Sequence, residues 1–180
     1  MDNIKSIVVG GIITLIIGGG AYTFSQVDFA KNFASDTGLT QKQAEEYINS
    51  VSEDELASWN EIGSSYIEEG QILIDTANEI DCLNYEYEWV SAALSCGKGK
   101  IQLEKVGKDS KLLGQMYKKL DSDSATEKDI SEVIRLIDQY NSDYNFEIIS
   151  YMIDLPEIDE IKKTNLYNKA LLKTALESKQ

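Results

Sequence analysis

The chain has no histidine among its 180 residues. That removes Ser-His-Asp and Cys-His catalysis, imidazole metal ligation and imidazole pH switching together. It has one proline, which excludes Pro-rich and collagen-like architectures. Basic side chains are scarce: 17 Lys and Arg against 31 Asp and Glu give a net charge of −14. An acidic chain of this kind is a poor partner for nucleic acid, which is held by clustered Lys and Arg. The only arginine is Arg135. Beyond the first 31 residues no uncharged stretch is long enough to cross a bilayer. Apolar residues nonetheless make up 42% of the chain, enough for a core and too many for general disorder.

The first expectation concerns the N-terminus. From Ser6 to Val27 there are 22 residues without a charge. As a helix they would span about 33 Å, enough for a bilayer of about 30 Å. Tyr22 and Phe24 at the far end would sit at the interface. The reading is an uncleaved N-terminal transmembrane helix, favoured over a cleaved signal peptide because the basic n-region and small-residue cleavage site are weak. Ser6, Gly10, Thr14 and Gly18 recur every fourth residue. On a helix they would form a small-residue ridge for packing against a membrane protein partner or a second copy. Residues 1–31 are thus read as the membrane anchor in the lipid bilayer and residues 32–180 as an acidic domain.

Helical periodicity dominates that domain, and the expected fold class is all-α, an antiparallel bundle of about four helices. Ser52 to Glu55 reads as a capping box. Leu56, Trp59, Gly63, Tyr66, Gly70, Leu73, Ala77 and Ile80 follow a 3,4 spacing, a heptad seam with glycine at two positions. Glycine there lets a neighbouring helix come close. Further helices are expected over 41–51, 101–120, 124–155 (ended by Pro156) and 158–178. Charge alternates along the chain: net −13 over 32–97, +5 over 98–119, −9 over 120–159 and +3 over 160–180. Antiparallel neighbours would then present opposite signs; the alternative use of the 98–119 lysines is to bind anionic lipid headgroups.

Cys82 and Cys96, even in number and close together, predict one disulfide in an oxidising compartment. This places the domain outside the cytoplasm, with the N-terminus inside. The enclosed segment carries Tyr85, Tyr87 and Trp89 alternating with Glu86 and Glu88. Aromatic side chains on a short covalent loop suit a protein-binding surface; the plainer reading is that they cap the end of the bundle core. Metal chemistry finds little support. Asp121, Asp123, Asp129 and Glu132 fall on EF-hand positions, but Thr126 replaces the turn glycine. A di-iron bundle site needs Glu-x-x-His, which is absent. Arg135 is expected to pair with Glu132 or Asp138.

The sequence therefore implies no enzyme, no cofactor and no metal. It points to a single-pass membrane protein acting through protein–protein contact as a small subunit, assembly factor or tether of a membrane complex. A sensor or ligand-binding bundle in the periplasm or a lumen is the alternative. A pilin-like filament subunit is a third.

Overall fold

A computed structural model describes residues 6–9, 11–51, 58–82, 90–143 and 158–179. In chain order the elements are β1 (Ser6–Val9), β2 (Ile12–Ile17), β3 (Gly20–Ser25), α1 (Gln26–Thr37), α2 (Gln41–Ser50), α3 (Trp59–Glu79), α4 (Val90–Leu120), α5 (Glu127–Asp143) and α6 (Ile158–Glu177). The chain is mostly helical, as expected.

The N-terminal segment corrects the membrane-helix expectation. Residues 6–9, 12–17 and 20–25 form a three-stranded antiparallel sheet in the order β1-β2-β3. Two properties of the segment favour strands. It is dense in β-branched Ile, Val and Thr, which are disfavoured in helices by their restricted χ1 and suit a pleated surface. It also has glycines where the chain must reverse: Gly11, Gly18 and Gly19 have φ of +81°, +57° and +71°, a conformation that glycine adopts without a Cβ clash. Ile13, Leu15 and Ile17 then alternate into the core, with Tyr22 and Phe24 beside them on β3. With Thr14 in a strand and Gly18 in a turn, the four-residue spacing with Ser6 no longer makes a helical ridge. Gly10 lies outside the described residues. Among the described residues, no helix is long and apolar enough to cross a membrane.

The sheet is fastened to one end of the bundle. The Gly18 amide donates to the carbonyl of Leu120 at 2.9 Å, and the Trp59 indole donates to the carbonyl of Ile16 at 3.1 Å. The Lys179 ammonium lies 4.0 Å from the centroid of the Tyr22 ring.

Helix boundaries follow local chemistry. Ser25 caps α1 by accepting from the Asp28 amide, and Gly38 closes it in the left-handed conformation. Thr40 and Gln43 form a capping box at α2, and Ser58 and Glu61 form one at α3. The capping box expected at Ser52 lies outside the described residues. α4 begins at Val90, before the start at 101 expected from the sequence, and continues through Gly97 and Gly99. The first half of α1 falls within the segment assigned to the anchor. In space, α3 lies on α4, α4 on α5, α5 on α6, α6 on α1 and α1 on α2.

Candidate interaction surface on the helical hairpin

α3 and α4 form the longest antiparallel pair, and glycines set their distance. A Cβ placed on Gly63 would sit 2.5 Å from the carbonyl oxygen of Gly114. One on Gly70 would sit 2.5 Å from that of Gly107. The reciprocal distances are 2.5 Å from Gly114 to the Gly63 oxygen and 2.7 Å from Gly107 to the Gly70 oxygen. The backbones therefore touch at two points one heptad apart. Ile67 and Ile74 cover Gly114 and Gly107, while the stems of Lys111 and Lys118 cover Gly70 and Gly63.

Six residues of the expected seam, Trp59, Gly63, Tyr66, Gly70, Leu73 and Ala77, are buried; Ile80 is half-buried and Leu56 lies outside the described residues. Its aromatic members turn toward the rest of the bundle. Tyr117 stacks between Trp59 and Tyr66, at centroid distances of 5.7 and 5.6 Å, and Tyr66 meets Tyr140 edge-on. A polar network crosses this interior. The Tyr66 hydroxyl donates to Asn165 Oδ1, Asn165 Nδ2 donates to Asn141 Oδ1 at 3.0 Å, and the Ser110 hydroxyl donates to the Tyr66 carbonyl. The Tyr140 hydroxyl donates to Glu69 Oε1 at 2.9 Å. Burial pushes the Glu69 carboxyl above the usual carboxylate range, partly offset by that hydrogen bond. These contacts tie α3, α4, α5 and α6 in one register.

The disulfide closes the far end. Cys82 and Cys96 are bonded, with Cα atoms 5.7 Å apart. Beside it, Lys100 Nζ donates to the Ile80 carbonyl at 3.0 Å. The bond joins residues 14 apart in sequence. Closing a loop of this size restricts the unfolded chain by about 3 kcal/mol. Reduction, or Cys82→Ser with Cys96→Ser, is expected to lower unfolding free energy by about that amount in urea titration. An unchanged midpoint would contradict this.

The hairpin's outer face differs from its inner one. Along α4, Leu94, Lys98, Ile101, Lys105, Lys108 and Leu112 recur at alternating intervals of four and three and are all exposed. Ile101 is 69% exposed and Leu94 63%. Single exposed apolar residues are ordinary; here three share one helical stripe with lysine, which makes this face the candidate interaction surface. Tyr85, Tyr87 and Trp89, the sequence-based candidates, lie outside the described residues. Apolar periodicity alone does not reveal the α4 stripe, because apolar and basic residues share one period in it.

The 121–132 segment is a turn over 121–126 followed by the first residues of α5. The Asp121 carboxylate accepts from the Asn60 amide, and Asp129 accepts from Lys119 Nζ at 2.6 Å and from the Thr126 amide and hydroxyl. Glu132 pairs with Arg135, as expected, and Arg135 also reaches Gln139. The Asp121, Asp129 and Glu132 carboxylates are thus committed to separate partners, and among the described residues no cluster could hold a metal ion. Opposite-sign contacts between elements also occur where alternating charge suggested them: Lys119 with Asp129, and Lys169 with Asp36 and Asp138.

Lys119 and Thr126 hold the Asp129 carboxyl down to about 2. A carboxyl depressed on folding stabilises the protein above its unfolded value, near 3.9, and this contribution is lost as pH falls through the folded value. The stability difference between the wild type and Asp129→Asn is expected to be constant near neutrality. It should shrink between about pH 4 and about pH 2. Parallel thermal melts across that range check it; a constant difference would contradict the assignment.

No protein-family model, curated protein or solved structure matches the chain.

Proposed function

We propose that this protein acts by protein–protein interaction, as a small subunit, assembly factor or tether of a larger complex, in an oxidising compartment outside the cytoplasm. The observation that carries the reading is the exposed Leu94, Ile101 and Leu112 stripe on α4. It is presented by a hairpin whose spacing is fixed by glycine contacts and whose end is closed by a disulfide. A rigid surface binds with little loss of conformational freedom, so a modest apolar stripe suffices. The disulfide supports the compartment, because such bonds persist where thiols are not kept reduced. The N-terminal small-residue ridge does not enter the proposal, since Ser6, Thr14 and Gly18 do not share a helix.

The test is the native mass of the protein extracted from the cell that makes it, with the disulfide intact. A defined assembly is expected for the wild type. The variant Leu94→Ser with Ile101→Ser and Leu112→Ser should appear as the lone chain, at unchanged thermal stability. A wild type that runs only as the lone 20.1 kDa chain would overturn the reading.

A further inference from the structure

We infer that the α4 stripe docks on the α3 stripe of a second copy of this chain. The proposal rests on the protein-interaction reading and names the partner. α4 is the most basic helix of an acidic molecule, and its exposed lysines flank Ile101 on both sides. The complementary surface is present on the neighbouring helix. On α3, Glu61, Glu68, Ile72, Asp75 and Glu79 are exposed at the same alternating intervals, with Ser65 completing the stripe. Ile72 is 58% exposed in its centre. Each copy thus carries one helical stripe of lysine around an isoleucine and one of carboxylates around an isoleucine. Both follow the heptad spacing that lets two helices lie side by side.

Opposite charges flanking apolar contacts fix partner and register in helix pairing, and like charges reject the wrong pairing. α4 against α4 would oppose lysines, and α3 against α3 would oppose carboxylates. Only the unlike pairing satisfies both. A contact between unlike surfaces can repeat from copy to copy, so it is not limited to a dimer. An anionic membrane would meet the same lysines, but the net charge of −14 opposes that approach.

The test uses the purified full chain with its disulfide intact, its mass followed by light scattering over a range of concentration and salt. The wild type is expected to self-associate at low salt. Association should weaken roughly tenfold in high salt, because the flanking charges are screened. Lys98→Glu with Lys105→Glu should be monomeric alone, as should Glu68→Lys with Asp75→Lys. Mixed, the two variants should associate, because each restores the other's missing charge. Circular dichroism checks that both fold; if either does not, Ile101→Ser and Ile72→Ser serve in its place, each weakening wild-type association.

A wild type that stays monomeric overturns the inference. So does association untouched by these substitutions, or a stripe that binds vesicles of anionic lipid while the chain remains monomeric. If the purified chain is monomeric while the cell extract still holds it in an assembly lost with Ile101→Ser, the second copy is wrong and the interaction reading stands. If neither sample shows an assembly, both fall.

Discussion

Leucine at Gly70 together with leucine at Gly107 is expected to cost more than about 4 kcal/mol and to prevent α3 and α4 from closing. The argument begins with sign. In an exposed helix, replacing glycine stabilises by up to about 1 kcal/mol, because the unfolded chain loses freedom. At these positions a Cβ would lie 2.5 to 2.7 Å from the facing carbonyl oxygen, which is backbone and cannot rotate aside. Either the helices separate, opening the seam from Trp59 to Ala77, or the substituted chain fails to pair. Even Gly70→Ala should destabilise, by about 1 to 3 kcal/mol. Gly97 is the internal control. It lies in α4 with nothing within 4 Å of its Cβ position, so Gly97→Ala should be neutral or stabilising. Urea denaturation of the three variants reads the opposite signs directly. Equal effects at Gly70 and Gly97 would contradict the close approach.

Trp59→Ala is expected to remove about 3 to 5 kcal/mol, lowering the melting temperature by roughly 10 °C in a chain of this length. Trp59 is fully buried and stacks on Tyr117 with planes 9° apart. Its indole also ties the bundle to β2 through the Ile16 carbonyl. Trp59→Phe separates the two roles. It keeps most of the ring stacking and loses the hydrogen bond, at a cost of about 1 to 2 kcal/mol. Amide exchange at Ile16 and Ile17 should rise in Trp59→Phe more than exchange in α5. A uniform rise would show that the indole does not hold the sheet in place.

Much of the helical domain was legible in the sequence because its signals are local. The 3,4 spacing from Trp59 to Ala77 named the buried face of α3, and the cysteine spacing named the bond that closes the hairpin. Glycine on that seam pointed to a close neighbour. The neighbour's identity was also readable, in that Gly107 and Gly114 repeat the seven-residue interval of Gly63 and Gly70. It emerges only when both helices are read together, since the contact is reciprocal.

The N-terminus was misread because hydropathy alone does not choose between a helix and strands. Twenty-two uncharged residues satisfy a length rule, whereas their β-branched content and paired glycines are signals of a different kind. The alternation of Ile13, Leu15 and Ile17 has period two, but Ile12 and Ile16 fill the intervening positions and mask it. The α4 stripe was hidden for a related reason. Lysine at Lys98, Lys105 and Lys108 reads as a solvated face until the exposed Leu94, Ile101 and Leu112 on the same stripe are considered.

The most direct test of the hairpin's outer face as the binding surface is site-specific photo-crosslinking in the cell that makes the protein. A photoreactive side chain at Ile101 is compared with one at Ser131, which is exposed on α5. The expected result is a discrete crosslinked product from Ile101 and none from Ser131. Equal products from both positions, or none from Ile101, would contradict the assignment of this face.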